Sequence, residues 1–324
     1  MKIIKRVIAV AVSLALLAWL MSADRWRGLG EVVGRVDGLT LGLATAGFLL
    51  SYLLRTLRVF DEFRAQAKGR FGACLRIVLI HNAMVNVVPF RGGEAAFPLL
   101  LRQSFGIALP RAIASLFWFR LQDAFVVLAL AALVWPGLHP ALKALAVAGV
   151  LTLAWWLPRW ARAPHDWAEG KALTAKFGKI RDAFAESTRH ARFGWAWTLA
   201  NWTVKLAAQA GLLAALLPAG LAIGAAGALG AELAAILPIQ GVAGFGTYEA
   251  GAAAALLPSG IPLAAGLQAA LALHLFVIAC SVTAGAIAWL FPAPTAHQAS
   301  AARASDLQSD SSDADGAQTR ISAE

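Results

Sequence analysis

The run 236-ILPIQGVAGFGTYEAG-251 interrupts an otherwise apolar chain with Pro238, Gly241, Gly244 and Gly246. In a helix interior each Gly costs about 1 kcal/mol and each Pro about 3 relative to Ala, so no continuous helix survives that density of breakers. Irregular backbone is tolerated in a bilayer only where it is buried in protein or lines a wet cavity, which turns this segment toward a polar interior. Glu249 follows directly. A shorter copy stands upstream at 88-VPFRGGEAA-96, where Pro89, Gly92, Gly93 and Glu94 repeat the order proline, glycine, glycine, glutamate-alanine. For either stretch alone, close helix packing through small residues with a carboxylate at a helix end is a sufficient reading. Their recurrence favours a second one, because paired interruptions in two halves of a membrane protein point to a midplane binding site.

The rest of the chain has membrane composition. Of 324 residues 59% are hydrophobic and 14% charged, with mean hydropathy +0.67, whereas soluble domains are about half apolar and a quarter charged. A formal charge of +10 would suggest nucleic acid in a soluble chain. Here orientation by Lys/Arg-rich loops explains it, and no nucleic-acid partner is expected. Cys74 and Cys280 have no metal-ligand spacing and read as buried thiols.

Residues 1–21 begin with Lys2, Lys5 and Arg6 ahead of an apolar run and read as an uncleaved first span with a cytoplasmic N-terminus. Gly38 to Leu54 reads as the second span, ended by a cytoplasmic cluster of Arg55, Arg58, Arg64, Lys68, Arg70 and Arg76. Cys74 to Leu101 carries His81, Asn82 and Asn86 besides the first break, and reads as a re-entrant hairpin or two half-helices. Ala112 to Trp135 goes out and Ala141 to Leu157 returns. Residues 158–193 form a basic cytoplasmic loop with eight Lys/Arg. That loop is either an amphipathic surface helix drawn to anionic lipid or a plain determinant of topology. Trp195 to Leu217, Gly220 to Leu237, Ala250 to Leu257 and Ala264 to Phe291 complete an all-α bundle of about eight spans over residues 1–291. Its two broken regions are related as an inverted repeat. The polar tail, 292–324, lacks apolar residues to bury and reads as disordered, on the cytoplasmic side.

Arg91, Glu94, Arg120, Asp123, Lys205, Glu232 and Glu249 fall in or beside these spans. Each charge at mid-helix costs about 2.5 to 3.5 kcal/mol on insertion scales, so the seven should pair or border water. Lys205 lies some ten residues into its helix, roughly 15 Å by helical rise, too deep to snorkel. It shares a stripe with Asn201 and Gln209. Arg120 and Asp123 share a face and read either as an internal ion pair or as part of a site. His81 and His274 read as core histidines. No H-E-x-x-H, G-x-S-x-G or phosphate-loop pattern occurs, so neither an enzyme nor a cofactor is expected.

Four stretches carry a resemblance. They are LRTLRVF at Leu54 to Phe60, PFRGGEAAFPLLLR at Pro89 to Arg102, FRLQD at Phe119 to Asp123, and LPIQGVAGFGTYEA at Leu237 to Ala250. In this order they resemble the transmembrane region of bacterial lysylphosphatidylglycerol synthases and its free-standing flippase-like relatives. The resemblance implies about eight spans with broken helices in the bacterial inner membrane, and a role in moving lipids between leaflets. By position it implicates Arg91, Gly92, Glu94, Arg120, Asp123, Gly244, Gly246 and Glu249, to which the stripe adds Lys205. The leading reading is a lipid translocase with membrane lipids as partners. Its rivals are an ion-coupled transporter of a small polar solute and a non-catalytic scaffold for envelope lipid-modifying enzymes.

Overall fold

The computed structural model describes residues 23–135, 137–167, 172–236 and 242–291, with the side chains of 23–28, 89–91, 172 and 242 outside that description. The first span read at 1–21, the tail 292–324, and Pro238 and Gly241 of the second break lie outside the described residues. Among the described residues the chain is helical throughout, with no strand. The order is α1 (Ala23–Gly34), α2 (Gly38–Glu62), α3 (Arg64–Ala67), α4 (Phe71–Val87), a 3-10 turn (Pro89–Ala95), α5 (Ala96–Phe105), α6 (Leu109–Val134) and α7 (Pro140–Arg162). Then come α8 (Ala172–Ser187), α9 (Gly194–Leu216), α10 (Leu221–Ile236), a 3-10 turn (Val242–Gly244), α11 (Thr247–Leu256), a 3-10 turn (Leu257–Ser259) and α12 (Leu263–Leu290).

Two groups of four helices repeat in length. Helices α2, α4, α5 and α6 have 25, 17, 10 and 26 residues, and α9, α10, α11 and α12 have 23, 16, 10 and 28. In each group the two shorter helices fold against one another across a glycine-rich turn. The first turn forms because Pro89 has no N–H to continue α4 and because Gly93 lies against that helix. A Cβ on Gly93 would stand 2.1 Å from the Met84 carbonyl oxygen. The second turn needs left-handed backbone at Ala243 (φ 54°), Gly244 (φ 82°) and Gly246 (φ 88°), a region that glycine enters without steric cost. Helix α11 then starts with the Glu249 carboxylate reaching back to its N-cap, where Oε2 accepts the Gly246 N–H at 2.6 Å.

Four helices, α2, α6, α7 and α12, are each long and apolar enough to cross a bilayer, and α9 with α10, bent by 116° at their junction, form either a fifth, broken span or a re-entrant loop. The remaining helices of the expected eight spans are shorter, the hairpin helices among them. At 17 residues, α4 rises only about 25 Å against a hydrocarbon core of about 30 Å. Helix α2 departs from its sequence reading. It runs through Leu54 to Glu62, capped at its start by Asp37, which accepts the Thr40 N–H at 2.8 Å. Arg55 and Arg58 therefore lie within the helix and do not end it.

Helix α2 packs along α9, α4 along α12, and α10 between α9 and α11. Phe48, Leu213 and Leu273 lie in the core around α2, α9 and α12. Ile77, Phe97, Leu101 and Phe119 fill a second core under the first hairpin. Only 6% of the apolar window of α7 is covered, against 44% for α6 and for α12. Helix α7 is thus peripheral, and its bare leucines suit a hydrocarbon neighbour better than water.

Candidate functional site

The tips of the two hairpins touch each other. They meet beside a cavity of about 220 Å³ bounded by α2, α4, α6, α9, α10, α11 and α12. Each hairpin tip contributes to its wall, Glu94 from the first and Gly244 from the second.

Three groups of interactions organise the charges. In the first, Asp123 of α6 is 4% exposed and collects donors from two other helices. Arg58 Nη1 donates to its Oδ1 at 2.7 Å and Arg58 Nη2 to Oδ2 at 3.4 Å, while the Trp202 indole donates to Oδ1 at 2.9 Å. Arg58 also donates to the Thr198 hydroxyl at 2.8 Å and lies over the Phe119 ring. In the second, Arg120 reaches from α6 to the first tip and donates to Glu94 Oε1 at 2.7 Å. His81 stands 3.6 Å from Glu94 Oε2. The pair read from the sequence, Arg120 with Asp123, exists at 3.7 Å but is the looser contact of both residues. In the third, Lys205 Nζ and Gln209 Nε2 each donate to Glu232 Oε1 at 2.7 Å, which is what the stripe on α9 is for. Gln209 also donates to the Tyr248 hydroxyl at 2.9 Å. Tyr248 stacks on His274 with ring centres 4.3 Å apart, and His274 Nδ1 lies 2.6 Å from Glu249 Oε1.

Among the residues singled out from sequence, Glu94, Arg120, Asp123, Lys205 and Gly244 line the cavity. Glu249 is buried behind the wall, where it holds His274 and the Gly246 N–H. Gly92 sits in the first turn, its missing Cβ nearest a Val88 methyl. Arg91 belongs to the same turn, and its side chain lies outside the described part. Sequence reasoning missed Arg55 and Arg58. The available signal was their place on α2: Ser51, Arg55, Arg58 and Glu62 follow a spacing of four, three and four, one helical face. His274, read as a core histidine, is a wall residue with a carboxylate partner.

Such an interior, with charges paired across broken helices, together with helices long and apolar enough to cross a bilayer, marks an integral membrane protein. The family described as the lysylphosphatidylglycerol synthase TM region matches residues 6–285, and the chain belongs to that family. No curated protein and no solved structure matches the chain.

Proposed function

We propose that the protein is a non-enzymatic lipid translocase, moving a phospholipid or a polyprenyl- or glycolipid between leaflets through the polar cavity while the acyl chains stay in hydrocarbon. The observation that carries this reading is the meeting of the two glycine-rich tips at a cavity walled by paired charges. A lipid headgroup pays a desolvation cost at mid-membrane, and fixed cations and carboxylates replace the water it leaves. Family membership supports a lipid-related role. In this reading Arg120 and Lys205 meet phosphate oxygens as Glu94 and Glu232 release them, and Gly92, Gly244 and Gly246 give the tips the backbone freedom to shift. The matched helix lengths support an inverted repeat, completed by a first span in residues 1–21 and about eight crossings in the bacterial inner membrane, with both termini cytoplasmic.

The basic segment 158–193 has a place in the same reading. Leu173, Phe177 and Ile180 of α8 are 67%, 54% and 56% exposed and follow helical spacing, beside Lys176 and Lys179. An apolar stripe flanked by lysines suits the surface of an anionic leaflet. Next to it a larger cavity of about 590 Å³ is lined by Arg159, Arg162 and Arg192 with Trp155 and Trp195, and by no carboxylate.

The test is reconstitution of the purified chain in liposomes carrying fluorescent lipid in one leaflet. Leaflet exchange above that of protein-free vesicles is expected, reduced by Glu94→Gln more than by Arg189→Gln at the surface. Exchange no faster than in empty vesicles across phospholipid and glycolipid probes refutes the proposal.

A further inference from the structure

One cation in the cavity wall makes no direct ion pair among the described residues: Arg55 is attracted by Asp123, but that carboxylate is held by Arg58. Arg55 of α2 uses a single N–H among the described residues, from Nη1 to Asn82 Oδ1 at 2.7 Å. Its Nε is buried without a partner, and so is the Asn82 side-chain amide nitrogen. Both residues line the cavity. The neighbouring charges are taken: Asp123 by Arg58 and Trp202, Glu94 by Arg120, and Glu232 by Lys205. Three guanidinium groups, Arg55, Arg58 and Arg120, thus face two carboxylates, Asp123 and Glu94. A local excess of one positive charge remains at Arg55.

A guanidinium without a direct ion pair in a membrane interior is costly. The surplus at this corner is of two kinds that point to the same ligand. It is a surplus of positive charge, and it is a surplus of hydrogen-bond donors. Among cavity-lining groups the buried unpartnered atoms include Arg55 Nε, Asn82 Nδ2 and Arg120 Nε against Glu94 Oε2 alone on the acceptor side. The complement is an anion that only accepts hydrogen bonds. Guanidinium offers parallel N–H bonds whose geometry matches phosphate oxygens in a bidentate fork. The cavity volume, about 220 Å³, is below the roughly 300 Å³ at which pockets for whole drug-sized ligands begin. It therefore suits one headgroup phosphate with a few waters and excludes acyl chains.

We propose that Arg55 is the first phosphate-recognition residue of this cavity, with Asn82 holding its guanidinium in position, Arg58 engaged by Asp123, and Arg120 held by Glu94 until that carboxylate releases it. The proposal rests on the transport reading for its biological sense, but its chemistry, a phosphate monoester or diester on Arg55, is testable by binding alone.

The experiment is equilibrium dialysis of the full chain in neutral detergent micelles against two radiophosphorus-labelled probes, inorganic phosphate and the short-chain lipid dihexanoylphosphatidate. Wild-type protein is expected to bind at least one. Arg55→Gln is expected to weaken that binding roughly ten- to hundredfold, the range for a charge-assisted hydrogen bond. Its melting point without probe should be unchanged or raised, since an unpaired charge has been removed. Binding of both probes identifies free phosphate as a sufficient ligand, and binding of phosphatidate alone identifies a lipid headgroup. Absence of wild-type binding to either probe, or Arg55→Gln binding as tightly as wild type, overturns the proposal. Should Arg55→Gln fail to fold, Arg55→Lys decides: it keeps the charge and loses the fork, so several-fold weaker binding is expected and unchanged binding overturns the proposal. Probe binding that depends on Arg55 in a protein that moves no lipid in liposomes would refute the transport reading and leave the phosphate site standing.

Discussion

Asp123→Asn isolates the electrostatic keystone of the bundle. The substitution preserves shape and one carbonyl acceptor but removes the charge that holds Arg58 at 2.7 Å. It also turns an amide donor toward cations that are themselves donors. Both side chains of the ion pair are nearly closed to solvent, at 4% and 5% exposure, so solvent screening does not soften the change. Removing one partner of a buried pair costs about 3 to 5 kcal/mol, because the other charge is left stranded. Neutral hydrogen bonds between membrane helices average about 0.6 kcal/mol and reach about 1.7, so the effect should stand clear of that range. Adding Arg58→Gln removes the stranded charge, and the double variant should recover about 2 kcal/mol or more relative to the sum of the singles. Unfolding in mixed micelles of rising dodecyl sulfate content, followed by circular dichroism, measures both quantities. A loss below about 1 kcal/mol for Asp123→Asn, or singles that add within about 0.5 kcal/mol, would refute the assignment of this pair as a coupled, desolvated contact.

The two glycines of the first tip should behave differently. Gly93→Ala places a Cβ 2.1 Å from the Met84 carbonyl oxygen and needs backbone movement, while Gly92→Ala meets only a Val88 methyl at 2.8 Å, which a rotamer change relieves. Comparable folded yields of the two variants after purification would count against the close approach. Outside the spans, burial and then the Arg111 charge lower the His190 pKa below the ordinary histidine value of 6.5, prevailing over Glu186, which raises it. Folding therefore disfavours the protonated imidazole of His190, and this contribution is full above pH 6.5 and lost as pH falls through the lower folded value. Thermal midpoints should drop between neutral pH and pH about 5, and His190→Gln should flatten that drop. Spin labels at Leu173→Cys and Phe177→Cys in a background lacking Cys74 and Cys280 should report oxygen accessibility typical of the lipid interface, and aqueous accessibility at both sites would remove α8 from the membrane surface.

How much of this was readable beforehand divides by the range of the interaction. The breakers at Pro89, Gly92 and Gly93 and at Gly244 and Gly246 act on their own backbone, so the two turns and the short helices flanking them were legible one residue at a time. The same holds for the stripe of Lys205 and Gln209, because a helical period depends only on neighbours along the chain. Hydropathy erred on α2 because it scores Arg55 and Arg58 as residues facing water and ends the span at Leu54. The true cost of those arginines depends on Asp123, Thr198 and Asn82, which lie 65, 140 and 27 positions away. Composition likewise cannot distinguish a helix that crosses from one that enters and turns back, so the short hairpin helices were not legible as either.

The sequence alone determined that the chain is an all-helical membrane protein with two broken hairpins, and that ionised residues lie within it, because those properties come from local propensity and transfer free energy. Only the tertiary structure decided which cation meets which carboxylate, and that Arg55 is left over, because pairing in a low-dielectric interior is fixed by distances that packing sets between helices far apart in the chain.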